Sequence, residues 1–463
     1  MPGRRAAAAT AGELRRRAWG GTWNRMSWAI GIMLMAHLLI GTLLLLLPPD
    51  GITAPYYSAA FGLFLLQPET VLSDSWDPML IALEHARSST EPLYQTIFFD
   101  RGTKFQYPPS SLLIIELVHS FAGASTAFAM NVICWGAAFS IAVLSAILHL
   151  RTERSLGVRQ PNTRRSAIIR AALVCVAALA FYPLARSFKL GQVQTLLTLL
   201  VTLAMLAHLS RRQVVAGLLL GCMTAIKPYF ILIVVWALVR KHHRVAIACV
   251  ATAACLQIVA VLNYGLEAHL EYVDVVQFMG RHGEVFHPNQ SVNGLANRIV
   301  HPDISNLEWR PHDYAPFHPL VYALSIAATV IFMLLMILPL PRREQRSSPT
   351  LSTVDLGSAL LALTLASPIA WEHHHSILIP VLAIAVPVLL SRAAPAAGRF
   401  IAILLVVIYL LAGQRWTITD LTASIPVVNI VQSYLFFASV TLLVILLATR
   451  RQSADGNAVP VAN

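Results

Sequence analysis

Residues 245–264 are VAIACVATAACLQIVAVLNY, a segment of 20 amino acids without a charged side chain. About 20 apolar residues in an α-helix span the hydrocarbon core of a bilayer. The segment therefore predicts a transmembrane helix. It is one of twelve apolar runs in the chain, at residues 28–47, 126–150, 166–184, 190–209, 213–226, 229–239, 245–264, 318–340, 356–371, 376–391, 400–413 and 426–448.

The composition of the whole chain supports the same interpretation. Of 463 residues, 57% are apolar and only 12% are charged, against about 25% charged residues in soluble proteins. This excludes a typical cytosolic enzyme, a disordered chain and a nucleic-acid binder with a solvated basic face. We predict an all-α, polytopic membrane protein with about 12 transmembrane helices at 28–449. A basic N-terminal tail at 1–27 precedes it, and a C-terminal tail at 450–463 follows it.

The distribution of charge predicts how the chain faces the membrane. With both termini inside and alternating spans, 24 basic and five acidic residues fall on the inner side, and ten basic and 17 acidic residues fall elsewhere. An excess of Lys and Arg in short loops marks the cytoplasmic side. We therefore expect two cytoplasmic tails and two long outer loops, at 48–107 and 265–317. The first apolar run meets two prolines without a signal-peptide cleavage site, which favours a retained first span.

Two segments are too short for ordinary spans. The runs 213–226 and 229–239 flank Lys227-Pro228, and proline ends or kinks a helix. We expect a broken pair of helices whose tip lies at membrane depth, which is tolerated where it lines a cavity enclosed by protein. Residues 110–121, after Pro108-Pro109, are compatible with a re-entrant helix.

Six polar motifs fall on the outer side in this arrangement. Long loops that carry polar side chains are often functional. One shared cavity would explain the clustering, and the ordinary polarity of exposed loops is the alternative for any single motif. The motifs are Asp74-Ser75-Trp76-Asp77, Lys104-Phe105-Gln106-Tyr107-Pro108-Pro109, Arg186-Ser187-Phe188-Lys189-Leu190-Gly191-Gln192, Lys227-Pro228, His287-Pro288-Asn289-Gln290-Ser291 and Trp371-Glu372-His373-His374-His375.

Lysine is used selectively. The chain has four lysines against thirty arginines, and Lys104, Lys189 and Lys227 each lie inside a polar motif. Lysine is a compact point charge that commonly binds phosphate. Together with Arg186, these side chains could hold a phosphate head group. The alternative is that they only extend their amines to the membrane interface.

Two aspartates precede a predicted helix at Met79. An acidic residue in the first turn of a helix is often only a cap. The functional alternative is that Asp77 or Asp74 acts as a general base that removes a proton from an attacking hydroxyl. One carboxylate suffices when the leaving group is a phosphate, because a phosphate departs without protonation.

Three adjacent histidines point in different directions on a helix, so one or two of them enter a given site. We expect one imidazole to hydrogen-bond the base or a phosphate. Metal ligation is the alternative, but no ligand spacing such as HExxH supports it. The amides of Asn289 and Gln290 suit sugar hydroxyls, because they donate and accept without charge. The chain has no Walker loop, GxSxG or dinucleotide fingerprint, and we expect no cofactor.

Taken together and in this order, the motifs resemble glycosyltransferase family 87 of the GT-C superfamily. The resemblance extends from about residue 28 to residue 447. It is carried by an aspartate after the first span, Phe-x-Tyr-Pro-Pro, Gly-Gln-Val, the Lys-Pro break, Asn-Gln-Ser and Trp-x-His-His. Two positions depart from the family pattern. Gln194 stands where an Asn is usual, and Ile81 stands where an aromatic residue is frequent.

The resemblance implies a GT-C fold and an inverting transfer of a hexose from a polyprenyl-phosphate donor to a lipid-linked or glycan acceptor. Mannose is the commonest known sugar of the family. The chemistry is implied on the outer face of the cell membrane, with Asp77 as base, Asp74 as the second candidate, and a histidine from His373 or His374 nearby. The residues expected to bind substrate are Lys104, Tyr107, Arg186, Lys189, Gln192, Lys227, Asn289, Gln290, Trp371 and Glu372.

Three other functions remain open from the sequence. Another family activity is arabinofuranosyl transfer from polyprenyl-phosphate arabinose. A lipid or glycan transporter would place ionisable groups near the bilayer midplane and often shows repeated halves, neither of which is evident here. A non-catalytic scaffold would not explain why Asp, Lys and His motifs gather on one side.

Overall fold

The computed structural model describes residues 30–43, 53–157, 164–308, 314–338, 348–393 and 395–449. All regular structure in these ranges is helical. The predicted all-α class is therefore confirmed. The predicted tails at 1–27 and 450–463 lie outside the described residues.

Seventeen α-helices are described, and short 3₁₀ or π-helical turns connect several of them. They are α1 Ile30–Leu43, α2 Thr53–Leu66, α3 Trp76–Ser88, α4 Leu112–Ala122, α5 Thr126–Ser155, α6 Arg164–Leu179, α7 Tyr182–Lys189, α8 Gln194–Leu209, α9 Gln213–Ile226, α10 Ile233–Val239, α11 His243–His282, α12 Val292–Val300, α13 Pro319–Ile337, α14 Pro349–Ala366, α15 Leu378–Arg392, α16 Pro395–Gly413 and α17 Tyr434–Thr449.

Each of the twelve predicted apolar runs overlaps one of these helices. Within the described ranges, six helical segments are long and apolar enough to cross a membrane, and a bent pair makes a seventh. Five further apolar helices are shorter, with 10–17 residues each. The chain is thus a multi-pass membrane protein, and the number of crossings stays a prediction.

Two helices are broken near the same end of the bundle. α6 and α7 are bent by 54° relative to each other. α9 ends at Ile226, and a 3₁₀ turn, Pro228–Leu232, leads into α10. The break expected at Lys227-Pro228 is therefore present. Its physical cause is the missing N–H of proline together with the steric clash of its ring.

The two segments predicted as long outer loops contain helices. The region 48–107 includes α2 and α3, and the region 265–317 begins with the last part of α11. α11 continues past a kink at Gly265 (φ 80°, ψ 156°) for a further 17 residues. Its continuation has apolar residues three or four positions apart, such as Leu266, Leu270 and Val273. This amphipathic period supports a helix beyond the apolar run.

Burial separates the interior from the lipid-facing helices. α14 is buried along almost its whole length, whereas α13 buries only Val321, Ser325, Phe332 and Met336. α11 is likewise mostly exposed. Apolar side chains on these two helices point outward, as expected for contact with lipid tails. α14 is therefore a central helix, and α11 and α13 lie at the periphery.

The polar side chains gather at two ends of the bundle. The six polar motifs lie at one end, which we call the polar end. At the opposite end Asp355 accepts hydrogen bonds from Arg240 at 2.7 Å and from Trp236 at 2.9 Å. There, Arg170 also pairs with Glu153 at 3.1 Å. The helices thus connect a cluster of buried ion pairs to the cluster of polar motifs.

Candidate active site

A close backbone contact positions the first aspartate. The N–H of Asp74 donates to the carbonyl of Leu190 at 2.9 Å, and the N–H of Ser75 donates to that of Gly191 at 3.2 Å. Gly191 has φ +65°, and a Cβ there would lie 2.0 Å from the carbonyl oxygen of Leu72. Only glycine combines this conformation with so close an approach. The Gly-Gln motif therefore supports the loop that carries Asp74.

The side chain of Gln192 orients the Asp74 carboxylate. Oε1 of Gln192 accepts a hydrogen bond from Oγ of Ser75 at 2.9 Å, so its amide nitrogen is left to donate to Oδ2 of Asp74. Oγ of Ser75 also lies 3.0 Å from the hydroxyl of Tyr107. These contacts fix one carboxylate oxygen and leave the second for another partner.

Burial raises the pKa of Asp74 above the ordinary value of an aspartate. The hydrogen bond from Gln192 and the charges of Lys104 and Arg186 oppose this rise, while the negative charge of Glu284 adds to it. A carboxylate with a raised pKa accepts a proton more readily and is a better general base.

Asp77 lies in a different environment. It is exposed, in the first turn of α3, and it is not among the residues that line the cavities described below. The preceding Trp76 is fully buried and donates from Nε1 to Asn131 at 2.9 Å. Partial burial raises the pKa of Asp77 as well. Its position suits a helix cap better than a base that contacts substrate.

A buried carboxylate holds a second part of the site. Glu284 accepts hydrogen bonds from Nζ of Lys104 and from the indole Nε1 of Trp371, each at 2.5 Å. The Lys104 ammonium also lies 5.0 Å from the ring centres of Trp371 and Tyr314. Three loops that are distant in sequence therefore meet at Glu284.

The helix break at Lys227-Pro228 supplies a third part of the site. Nζ of Lys227 lies 2.9 Å from Oε1 of Gln194 and 2.7 Å from Nε2 of His374. Nδ1 of His374 is buried and has no hydrogen-bond partner among the described residues. Because α9 ends immediately before Lys227, its ammonium reaches the interior of the polar end.

Two adjoining cavities connect these groups. The first, which we call the polar cavity, has a volume of about 230 Å³. The second, which we call the apolar groove, has a volume of about 530 Å³. Both are lined by Gln106, Tyr107, Ile369 and His374. The polar cavity is further lined by Asp74, Pro78, Gly102, Thr103, Lys104, Gln192, Trp371 and His373, and the apolar groove by Ile226, Lys227, Pro228, Tyr229, Ile231, Leu232, Tyr272, Val276, Met279, Gly280, Thr329, Leu363, Ala366, Ser367 and Pro368.

Eight residues predicted from the sequence therefore line one of the two cavities. They carry a carboxylate, two ammonium groups, two imidazoles, an amide and two aromatic rings. They are Asp74, Lys104, Tyr107, Gln192, Lys227, Trp371, His373 and His374.

Other predicted residues are bound to protein groups instead. Lys189 is buried and donates to the backbone carbonyl of Thr70. Glu372 is buried and accepts from the hydroxyl of Tyr182 at 2.8 Å. Arg186 is half-buried and does not line either cavity, but its positive charge lowers the pKa of Asp74. These three side chains surround the cavities without lining them.

Asn289 and Gln290 are fully buried and join two loops. Oδ1 of Asn289 accepts from the N–H of Ala370 at 3.1 Å, and the N–H of Gln290 donates to the carbonyl of Ala370 at 2.8 Å. The N–H of Glu372 donates to the carbonyl of Pro288 at 2.9 Å. The Asn-Gln-Ser motif thereby holds the segment that carries Trp371 and the histidines.

Three residues of this site had no role in the sequence analysis: Glu284, Ser75 and Gln194, the last noted only as a departure from the family pattern. The sequence held no local signal for Glu284, because its partners Lys104 and Trp371 lie 180 and 87 residues away. In the part of the chain that the structure describes, no group of three or more His, Cys, Asp or Glu residues could hold a metal ion.

Comparison with known proteins identifies the family. The profile of glycosyltransferase family 87 matches residues 105–368. A curated relative from Mycobacterium tuberculosis, a polyprenol-phosphate-mannose-dependent alpha-(1-2)-phosphatidylinositol pentamannoside mannosyltransferase, is 28% identical over 303 residues. That match covers 65% of this chain and 62% of the relative. The search of solved structures found no match. Because the family match spans more than half of the sequence, the chain belongs to glycosyltransferase family 87.

Proposed function

We propose that the protein transfers a sugar from a polyprenyl-phosphate donor to a hydroxyl of a lipid-linked or glycan acceptor, with inversion, at the outer face of the membrane. The observation that carries the proposal is the junction of the polar cavity with the apolar groove. Asp74 lies on one side of this junction and Lys227 on the other, with His374 between them. An amphiphilic donor needs an apolar groove for its prenyl chain next to polar groups for its phosphate and sugar.

The apolar groove suits the prenyl chain. It lies between the helix break and α11, and its lining includes Tyr229, Leu232, Met279 and Leu363. A further cavity of about 360 Å³ shares Val276, Gly280, Thr329 and Pro368 with it and lies between α11 and α13. Both helices expose apolar faces, so a prenyl lipid could enter from the bilayer without crossing water.

The phosphate is proposed to lie at the junction. An ammonium group can only donate hydrogen bonds, so Nε2 of His374 accepts from Lys227, and the imidazole proton resides on Nδ1. The ammonium of Lys227 and this N–H are both donors. Donors placed where negative charge develops stabilise the transition state of group transfer.

The chemical step requires one base. The acceptor oxygen attacks the anomeric carbon from the face opposite the phosphate, and Asp74 takes the proton of that hydroxyl. The bond between the anomeric carbon and the phosphate oxygen breaks, and the electron pair leaves with the polyprenyl phosphate. The configuration is inverted, and the proton ends on Asp74. Holding both substrates in line removes much of the entropic barrier.

Mannose is the first sugar to test, since a relative is named as polyprenol-phosphate-mannose-dependent. The charge distribution supports the outer face. The arginine-rich end of the bundle lies opposite the cavities, and the positive-inside rule assigns such an end to the cytoplasm. Cysteine labelling of exposed loops at both ends in intact cells would test this orientation.

The deciding experiment uses the purified protein in proteoliposomes. It is given polyprenyl-phosphate mannose, arabinose or glucose together with lipid and glycan acceptors, and products are identified by mass spectrometry. We expect a glycosylated acceptor with inverted anomeric configuration. Absence of product from every polyprenyl-phosphate sugar would refute the proposal.

Asp74→Asn should lower kcat by about 10²- to 10⁴-fold, the usual contribution of a general base. Asp77→Asn is the matched control and should retain most activity, because Asp77 is exposed and lies outside the cavity lining. Loss of activity only in Asp77→Asn would move the base to Asp77. Full activity in both variants would refute this mechanism.

A further inference from the structure

Glu284 uses its two carboxylate oxygens for two different partners. Oε1 accepts from the ammonium of Lys104, and Oε2 accepts from the indole N–H of Trp371. The Glu284 side chain is 1% exposed, and that of Lys104 is 12% exposed. Neither partner group can accept a hydrogen bond. A side chain with two acceptors is therefore required at this position, and a carboxylate fulfils the requirement.

The backbone around Glu284 is held independently of its side chain. The Glu284 N–H donates to Oδ1 of Asn293 at 3.3 Å, and its carbonyl accepts from Nδ2 of Asn289 at 3.3 Å. The preceding Gly283 has φ +66°, and a Cβ there would lie 1.7 Å from Oδ1 of Asn293. The loop conformation thus depends on glycine and on these two asparagines. A change confined to the carboxylate should leave it in place.

The two partners of Glu284 belong to one cavity. Lys104 and Trp371 line the polar cavity with Asp74, and neither lines the apolar groove with Lys227. An indole presents a large apolar face of defined geometry, and the Lys104 ammonium, which lies over this ring at 5.0 Å from its centre, presents hydrogen-bond donors. This combination suits the carbon face and the hydroxyls of a sugar ring next to the base.

We propose that Glu284 is a positioning residue for the acceptor: it fixes the Trp371 ring and the Lys104 ammonium as one platform on which a sugar of the acceptor rests. The proposal rests on the function proposed above, because it assigns the polar cavity to the acceptor. It implies that the acceptor presents a sugar ring near its reacting hydroxyl. Changes at Glu284 should then affect acceptor binding rather than donor binding.

The test compares Glu284→Gln with Glu84→Gln, an exposed glutamate in α3. A glutamine offers one acceptor and turns its amide N–H₂ toward a second donor. We expect the KM for the acceptor to rise by about tenfold or more, as when a charge-assisted hydrogen bond is lost, with an unchanged KM for the donor. Glu84→Gln should leave both constants unchanged. An equal rise in the donor KM, or an unchanged acceptor KM, would overturn the proposal.

A double variant separates positioning from general loss of structure. Trp371→Phe keeps an aromatic face and removes the N–H, so a glutamine at position 284 can serve Lys104 alone. We expect Glu284→Gln to raise the acceptor KM much less in the Trp371→Phe background than in the wild type. Additive effects would show that Glu284 acts independently of Trp371 and would overturn the proposal. Thermal unfolding of each variant confirms that folded proteins are compared.

These outcomes are distinct from failure of the proposed function. If the wild-type protein forms no product from any polyprenyl-phosphate sugar, the proposed function is refuted. If the wild type forms product and the Glu284 variants change donor and acceptor constants alike, only the positioning role is refuted.

Discussion

Gly191→Ala offers a geometric test of how the site is built. The residue does not line either cavity, yet the loop that carries Asp74 rests on its backbone. A methyl group at this position would lie 2.0 Å from the carbonyl oxygen and 2.8 Å from the carbonyl carbon of Leu72. Both are backbone atoms, so a side-chain rotation cannot relieve the clash.

The expected effect has two components. The first is the positive φ, +65° at Gly191, which costs an alanine about 1–2 kcal/mol. The second is displacement of the Leu72 backbone. Real Cβ atoms essentially never approach other atoms within 3.0 Å, so this backbone must move by at least 1 Å. Asp74 would move with it, as both belong to the same loop. A misplacement of about 1 Å at a reacting group can lower a rate about 10²-fold.

Gly123→Ala is the matched control. Gly123 has φ +52°, and a Cβ there would meet nothing within 4 Å among the described residues. It therefore carries the conformational cost without the displacement. Both variants should unfold at lower temperature than the wild type, and only Gly191→Ala should lose about 99% of kcat in the transfer assay. Normal kcat in folded Gly191→Ala would refute the argument, and so would an equal loss in Gly123→Ala.

Three further predictions concern charge. Asp74 must be deprotonated to act as base, and burial raises its pKa above 3.8, so kcat should fall as the pH falls through this raised pKa. Lys104→Met removes a positive charge that lowers the pKa of Asp74. The acid limb of the pH–rate profile should therefore move to higher pH in this variant. Lys227→Met should raise the KM for the donor by about tenfold or more, while Lys241→Met, in an exposed turn at the opposite end, should not change it. Transfer should persist in EDTA, and loss of activity that is restored by Mg²⁺ or Mn²⁺ would contradict a site in which Lys227 and His374 stabilise the phosphate without a metal ion.

The sequence predicted the fold class well because the signal is strong and local. A run of apolar residues is read directly from the chain, and each of the twelve runs became a helix. The loop at 265–317 was predicted less well. Its helical continuation to His282 follows from an amphipathic period, which is weaker than a continuous apolar run. Its packing against other helices is not visible in the sequence.

The candidate site was predicted in part for a similar reason. Lys104, Gln192 and Lys227 are polar residues in an apolar chain, which made them conspicuous. Glu284 was overlooked because its importance lies in partners 87 and 180 residues away, and a single sequence does not show such pairing. Asn289 was predicted to recognise sugar. In the structure its amide hydrogen-bonds the backbone of Glu284, Pro368 and Ala370 and the hydroxyl of Ser291, and sugar recognition by Asn289 stays a prediction.

The opposite end of the bundle shows why charge alone does not identify a site. Arg240 pairs with Asp355, and its guanidinium also donates to the carbonyls of Ile337 and Met336, at 2.7 and 3.3 Å. These contacts join α10, α13 and α14, and removing one partner of such a buried pair costs about 3–5 kcal/mol. Yet neither Arg240 nor Asp355 lines the polar cavity or the apolar groove. The buried ion pair there holds helices together. At the polar end, Asp74 lines the polar cavity and Lys227 lines the adjoining apolar groove. What the charged groups face distinguishes the candidate site from these ion pairs, and this is the information that the fold adds to the sequence.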